Sequence, residues 1–367
     1  NALQLARPLS LDAALVLGLC FAARFGAPKP GPLWKSASFG IIAAAALFFL
    51  FAVVPASTFN FQDDLETYLA RPLRMLQTGT LSGNPYDGLG LDMLGAQSFM
   101  QGFLLAHRPV DRIHGFDAVL CLLAAGLLLL ELGRARGARE RLLVLAALSL
   151  VVINPQTVNV TASYSISLLM LALLRAAALL EERPSPRAAA ALGLIAAAMI
   201  ALKTTCAVYL LLFIALYAAS LRGKAPRLRL LAAAGAALAA LSPWLAVYAW
   251  DYLTFPASAP LEGAGPYSFA ALLGRLVSLF SPRESHYGGW NLAYGAIALL
   301  MSFACARAGR TLSRGDGEAA WFAATGAAVA FLLSTLLWSD TGSALRYACP
   351  FLIALSAVAA LRAGPRP

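Results

Sequence analysis

Two adjacent carboxylates, Asp63 and Asp64, follow closely on an apolar run that extends from Phe39 to Val54. A charge beside hydrocarbon is costly and is usually kept for function. A carboxylate in such a place can take a proton from a hydroxyl group and so serve as a general base. The pair therefore marks a candidate centre for acid–base chemistry at the edge of an apolar segment.

Basic and aromatic side chains follow this acidic pair at helical spacing. On a helix, Asp64, Tyr68 and Arg71 share one face, and Arg74 lies with the other Asp on the neighbouring face. Because an arginine can hold phosphate oxygens in bidentate fashion, the pattern suits a base working beside an anionic leaving group. Pro72 predicts that the helix kinks or restarts near Arg71. The spacing fits equally a solvated, salt-bridged helix without a ligand.

The composition is too apolar for a soluble protein. Of 367 residues, 60% are hydrophobic and only 13% are charged, and the mean hydropathy is +0.72. We predict an all-α polytopic membrane protein, because a backbone in lipid must satisfy its own hydrogen bonds. The formal net charge of +10 would suggest a nucleic-acid partner in a soluble protein. Here the positive-inside rule accounts for the charge, so membrane lipids and no nucleic acid are expected as partners.

About eleven apolar runs are long enough, or nearly so, to span a membrane. If the runs alternate in direction, most lysines and arginines fall in loops on one side, which predicts that this side is cytoplasmic. Asp63 and Asp64 then face the periplasm or exterior, and a bacterial inner (plasma) membrane is the expected location. The runs are residues 9–25, 37–57, 115–133, 141–154, 161–181, 187–202, 204–221, 229–250, 290–307, 319–338 and 347–363.

The chain is predicted to form a single transmembrane domain over residues 1–367, with two long external loops. The first loop, 58–114, begins with the acidic pair and is the candidate catalytic loop, and the second covers 251–289. Both carry stretches that could form helices on the membrane surface. These helices are predicted around residues 63–78, 91–107 and 267–280.

The start of the first loop resembles the GT-C superfamily of polyprenyl-phosphate-sugar-dependent glycosyltransferases, above all lipid A aminoarabinose transferases and protein O-mannosyltransferases. In those families an Asp-Glu pair precedes a Tyr, a basic residue and a Met-Leu. The resemblance covers about residues 60–76, and this chain departs from it with Leu65 where the Glu would fall. Either Asp63 or Asp64 could therefore be the base. The residues at matching offsets are Asp64, Tyr68, Arg74, Met75 and Leu76.

Two further stretches could contact the phosphate of a lipid-linked donor. Lys203-Thr204-Thr205 interrupts two apolar runs, and its ammonium and hydroxyls suit phosphate oxygens. A lysine that snorkels to the interface is the alternative. Arg346-Tyr347 lies just before the last run and resembles GT-C enzymes, in which such an Arg can meet the donor phosphate. A surface pair of Arg346 with Asp340 is the alternative and is worth at most about 1 kcal/mol.

The three histidines, His107, His114 and His286, lie in the predicted external loops without the spacing of zinc ligands. His286, with Arg283 and Glu284, could contact donor or acceptor, and so could His107. An ordinary loop histidine is the alternative in each case.

The resemblance implies an inverting transfer of a sugar from a polyprenyl-phosphate donor to a lipid, glycan or protein acceptor on the external face. Some relatives use a divalent metal and others do not, and Asp63 and Asp64 could hold one because hard cations prefer carboxylate oxygens. The implied site comprises the catalytic residues Asp64 and Asp63, the donor-phosphate ligands Lys203, Arg346, Arg71 and Arg74, and the substrate contacts Tyr68, Tyr347, His286, Arg283 and His107.

Other functions fit parts of the pattern. A polymerase or ligase of the O-antigen ligase kind would use Arg283 and His286 of the second loop. A transporter or flippase for lipid-linked substrates would carry ionisable residues deep in the bundle. A catalytically silent subunit is a third alternative. No Walker loop, dinucleotide-binding turn or Ser-His-Asp motif is present, which disfavours a cytoplasmic nucleotide-sugar enzyme.

Overall fold

The computed structural model of the protein describes residues 12–13, 16, 35–53, 68–79, 95–154, 162–221, 224–254, 269–280, 290–312 and 317–363. Every regular element within these ranges is helical. The helices are α1 (Ala37–Phe48, continued by a π-helical turn, Phe49–Val53), α2 (Ala70–Thr78), α3 (Ala96–Leu105), α4 (Val110–Ala135), α5 (Glu140–Val152), α6 (Ser163–Glu182), α7 (Pro186–Leu202), α8 (Cys206–Ser220), α9 (Lys224–Thr254), α10 (Phe269–Ser278), α11 (Trp290–Thr311), α12 (Glu318–Trp338) and α13 (Thr341–Arg362).

Five of the described helices are long and apolar enough to cross a membrane, which is the pattern of an integral membrane protein. The expected eleven spans are not confirmed, because other apolar helices are shorter and the run at 9–25 lies mostly outside the described residues. The five are Val110–Ala135, Ser163–Glu182, Asn291–Thr311, Glu318–Trp338 and Thr341–Arg362. The shorter apolar helices among the described residues are Ala37–Ala52, Pro186–Leu202, Cys206–Ser220 and Leu228–Pro243.

Helix α13 lies at the centre of the bundle and packs against α5, α6, α11 and α12. Its Phe351 stacks on Tyr209 of α8 with the ring centroids 3.9 Å apart. The buried phenols along α8 also satisfy their polar atoms, because Tyr209 donates to the Ala324 carbonyl at 3.2 Å and Tyr217 donates to the Ala177 carbonyl at 2.6 Å. These hydrogen bonds matter because no water is available within the hydrocarbon region.

One end of the bundle, which we call the Glu318 end, is held by the buried carboxylate of Glu318 and the half-buried carboxylate of Glu181. Arg362 of α13 donates to Glu318 of α12 at 2.6 Å, and Thr311 of α11 donates to the same carboxylate at 3.1 Å. Glu181 of α6 accepts a hydrogen bond from the Ala320 backbone N–H at 2.6 Å, at the start of α12. A carboxylate is favourable there because the first N–H groups of a helix have no partner within it. Four helices are thereby joined at this end.

The opposite end, which we call the Lys203 end, is where α7 and α12 finish and where α6 and α13 begin. The three short helices α2, α3 and α10 also lie here, which confirms the helices predicted in the two long loops. Helix α2 begins at Ala70, so Pro72 falls in the first turn, where its missing N–H leaves no bond unmade. The part of the predicted helix before Tyr68 lies outside the described residues. Which end faces the exterior stays a prediction.

Candidate functional site

The turn between α7 and α8 carries Lys203, a predicted phosphate ligand. Helix α7 ends because Lys203 has an extended backbone, with φ −151° and ψ 116°. Its side chain is half-buried, and Nζ lies 4.9 Å from the centroid of the Tyr347 ring. A cation over an aromatic face is attracted by ~0.5–2 kcal/mol, depending on how far it is desolvated. The fold thus brings together two predicted site residues that are far apart in the sequence.

Tyr347 also contacts Trp338, the last residue of α12, with the ring centroids 5.6 Å apart. We call Lys203, Tyr347 and Trp338 the lysine–aromatic cluster. Arg346 precedes Tyr347 on α13 and is half-buried. Because successive residues of a helix project about 100° apart, Arg346 and Tyr347 point to different sides of α13.

The start of α13 differs from the expectation. The sequence predicts the last apolar run from residue 347, but the helix begins at Thr341, so Arg346 and Tyr347 lie within the helix and not in the loop before it. The physical reason is a strong N-cap: Asp340 accepts hydrogen bonds from the Ser343 backbone N–H at 3.0 Å and from its hydroxyl at 2.6 Å. The Asp340 carboxylate thus holds the first turn of α13.

The capping hydrogen bonds lower the pKa of Asp340. Partial burial opposes ionisation, but the hydrogen bonds from the Ser343 hydroxyl and from the backbone N–H groups of Ser343 and Gly342 outweigh it. The pKa of Asp340 consequently lies below its ordinary value. The carboxylate is therefore ionised at neutral pH, next to the helix that carries two predicted site residues.

Helix α10 is anchored beside the same cluster by Arg275, a residue that the sequence reasoning did not select. Its Nη1 donates to the carbonyl oxygens of Leu336 at 2.8 Å and of Leu337 at 2.9 Å, in the last turn of α12. The hydroxyls of Ser278 and Thr341 are also hydrogen bonded to each other. These bonds hold the second predicted loop against the junction of α12 and α13, next to Trp338.

Helix α2 carries Arg71 and Arg74, and both side chains are half-buried, as is Tyr68 just before the helix. Met75, which shares a face with Arg71, is completely buried at 0% exposure and fixes the rotation of α2. Helix α2 packs on α3, and α3 packs on α7 and on the start of α4. The two arginines are therefore at the Lys203 end, joined to the bundle through α3.

Asp117 is a second residue that the sequence reasoning missed. It lies in a π-helical stretch of α4, Gly115–Cys121, and accepts hydrogen bonds from the backbone N–H groups of Tyr164 at 3.0 Å and Ser165 at 2.7 Å. The Ser165 hydroxyl donates to the same carboxylate. Asp117 thus serves the unpartnered N–H groups at the start of α6. The available signal was a carboxylate inside the apolar run 115–133.

The other predicted site residues lie elsewhere on the protein or outside the described residues. His107 is exposed, and its Nε2 lies 2.7 Å from Asp12 Oδ1 in a pair at the surface. Asp63, Asp64, Arg283 and His286 lie outside the described residues. Within the described ranges, no three His, Cys, Asp or Glu side chains are grouped so that they could hold a metal ion.

Comparisons of the chain with models of protein families, with curated proteins and with solved structures find no match. A function for the chain is therefore inferred from its residues and their geometry.

Proposed function

We propose that the chain is an inverting glycosyltransferase of the GT-C kind, in a bacterial inner (plasma) membrane, with its active site facing the periplasm or exterior. It moves a sugar from a polyprenyl phosphate to a lipid, glycan or protein acceptor. Asp64, or Asp63 in its place, takes the proton of the acceptor hydroxyl. The acceptor oxygen then bonds to the anomeric carbon, and the bond from that carbon to the phosphate oxygen breaks, with its electron pair leaving on the phosphate.

The observation that carries this proposal is the lysine–aromatic cluster. Lys203 Nζ lies 4.9 Å from the centre of the Tyr347 ring, at the end of a bundle whose helices are apolar. An ammonium held there suits the phosphate of a lipid whose tail lies along the helices. Arg346 is adjacent to Tyr347 in the sequence, and Arg71 and Arg74 lie at the same end of the bundle. These arginines would add positive charge where the leaving phosphate becomes more negative.

The transporter alternative draws little support from the buried and half-buried carboxylates. Asp117 holds the start of α6, Glu181 holds the start of α12, and Glu318 pairs with Arg362. Asp117 has its partners at the Lys203 end of the bundle, and Glu181 and Glu318 have theirs at the Glu318 end. A translocation pathway, in contrast, needs ionisable groups along its length. The ligase alternative depends on Arg283 and His286, which lie outside the described residues.

Transfer of a labelled sugar from a polyprenyl phosphate by purified protein in proteoliposomes tests the proposal. Lys203→Met keeps the length of the side chain but removes its charge, and we expect kcat/KM to fall about 10- to 100-fold, the range for a hydrogen bond to a charged group. Lys35→Met is the control, because Lys35 is an exposed lysine at the Glu318 end. At least one of Asp63→Asn and Asp64→Asn should abolish transfer.

Two results would contradict the proposal. Full turnover in both Asp variants, together with loss of turnover in His286→Ala, would favour the ligase alternative. Passage of a lipid-linked substrate across the liposome membrane without any sugar transfer would favour the transporter. Treatment with a chelator separates the metal-dependent from the metal-independent form of the proposed enzyme, because only the former would lose activity.

A further inference from the structure

Helix α3 turns its polar residues toward the protein. Ser98 and Gln101 are buried, with 6% and 3% exposure. Phe99 and Phe103 are half-exposed and contact each other edge to face with the ring centroids 5.3 Å apart. The sequence predicts that the apolar face of this helix lies on the membrane surface. Only the packing shows that the face with Ser98 and Gln101 is buried. The contact between α3 and the bundle consequently includes two polar side chains, Ser98 and Gln101.

The amide oxygen of Gln101 has no hydrogen-bond partner among the described residues, although the side chain is almost fully buried. Leaving a buried acceptor unpaired is unfavourable, and most buried polar atoms in proteins are paired. Replacing Gln101 by an apolar residue would remove this penalty. A ligand that donates a hydrogen bond would account for the glutamine.

The position of Gln101 relates it to the lysine–aromatic cluster. Ala96, at the start of α3, packs against Ala197 and Ala201 in the last turns of α7, and Lys203 follows directly on α7. Gln101 lies five residues further along α3, at the same end of the bundle as Lys203.

Helix α3 also contacts the start of α4. Leu104, three residues after Gln101, has its Cδ2 3.5 Å from where a Cβ on Gly115 would be. Helix α3 thus packs on both α7 and the start of α4, and the Gln101 side chain that it carries is buried.

We infer that Gln101 recognises the transferred sugar by accepting, through its amide oxygen, a hydrogen bond from a sugar hydroxyl of the polyprenyl-phosphate donor. This inference rests on the proposed function. It adds a residue that binds the sugar to the residues that bind the phosphate. The chemistry separates the two roles: a hydroxyl can donate to a neutral acceptor, whereas the oxygens of an ionised phosphate only accept. Lys203 is accordingly assigned to the phosphate and Gln101 to the sugar.

The test measures binding of two kinds of lipid to the whole protein in nanodiscs: undecaprenyl phosphate, and the same lipid carrying glucose, mannose, N-acetylglucosamine or aminoarabinose. We expect wild type to bind at least one sugar-bearing lipid more tightly than the bare lipid. Gln101→Leu should weaken binding of that lipid about three- to tenfold, the loss expected for one neutral hydrogen bond, and leave binding of the bare lipid within about twofold. Gln77→Leu, at an exposed glutamine of α2, is the control.

Thermal unfolding separates a ligand contact from a structural role. Because the Gln101 oxygen has no hydrogen-bond partner in the described part of the chain, Gln101→Leu should unfold at no lower temperature than wild type, whereas loss of a structural hydrogen bond would lower the unfolding temperature. Should the Leu variant not fold, Gln101→Met, which is unbranched and similar in length, takes its place.

The outcomes distinguish the two levels of the proposal. If binding of the bare lipid depends on Lys203 but Gln101→Leu binds every lipid as wild type does, Gln101 is satisfied by water only and the inference is wrong while the function stands. Equal weakening for bare and sugar-bearing lipids, or a wild type that prefers no sugar-bearing lipid, also overturns the inference. If neither lipid binds in a Lys203-dependent manner, the proposed function fails and the inference fails with it.

Discussion

The buried ion pair at the Glu318 end should be essential for stability, and the variant Arg362→Met tests this. Arg362 Nη2 lies 2.6 Å from Glu318 Oε1, and the two side chains are 17% and 3% exposed. Met keeps an unbranched apolar stem but removes the charge. Glu318 would then keep the hydrogen bond from the Thr311 hydroxyl of α11, at 3.1 Å. The variant leaves a buried carboxylate without its charged partner.

The expected loss of stability is about 3 kcal/mol. Removing one partner of a buried pair costs ~3–5 kcal/mol, and the lower value applies because Thr311 still donates and because Arg362 is partly exposed. The same change also removes the contact of the guanidinium with the Trp321 ring, 5.0 Å from its centroid, which is worth roughly 0.5–1 kcal/mol. The double variant Glu318→Gln/Arg362→Met should recover at least half of the loss, because no charge then remains buried.

Reversible unfolding of the purified protein in mixed micelles measures these free energies. Arg139→Met, at an exposed arginine of the same end, is the control and should change stability by less than about 0.5 kcal/mol. A loss below about 1 kcal/mol for Arg362→Met, or a double variant no more stable than the single one, would refute the view that the pair is buried and coupled.

Two further predictions concern the Lys203 end and the packing of α7. Because the pKa of Asp340 is lowered on folding, its carboxylate stabilises the native state above the ordinary pKa, and this contribution is lost as the pH falls through the lowered value. Asp340→Ala should therefore cost about 1 kcal/mol at neutral pH and less in acid, while Asp340→Asn should keep the cap and lose the pH dependence, as unfolding at several pH values will show. Gly193→Ala should cost about 3 kcal/mol or prevent folding, because a Cβ there would overlap the Ala233 carbonyl oxygen of α9. Gly235→Ala, with open space around the new methyl group, should be neutral or stabilising in the same assay.

The sequence predicted the position of a helix well where polar residues flank an apolar run on both sides. The run at 187–202 corresponds to Pro186–Leu202, and the run at 319–338 corresponds to Glu318–Trp338. The prediction was less accurate where a helix continues into a polar stretch. The first turns of α13 contain Ser343 and Arg346, and they are helical because Asp340 caps them, which hydropathy does not register.

The sequence likewise predicted some residues of the candidate site and missed others. Lys203 and Tyr347 were selected separately, because each interrupts or borders an apolar run, and their contact was not predictable. Gln101 and Asp117 were not selected at all. Gln101 lies on a helix that was predicted only to lie on the membrane surface, and Asp117 was counted as part of an apolar run although it accepts hydrogen bonds from the start of α6.

The sequence by itself determined that this protein is helical, that it carries apolar helices of membrane-spanning length, and where helices such as Pro186–Leu202 and Glu318–Trp338 begin and end. These properties depend on the local composition of the chain and on the backbone satisfying its own hydrogen bonds in lipid. Only the tertiary structure decided that Lys203 meets Tyr347 and Trp338, and that Gln101 is buried. The reason is that helices apolar on all sides have no periodicity to say which face turns inward, so the contacts between them are set by packing against particular neighbours.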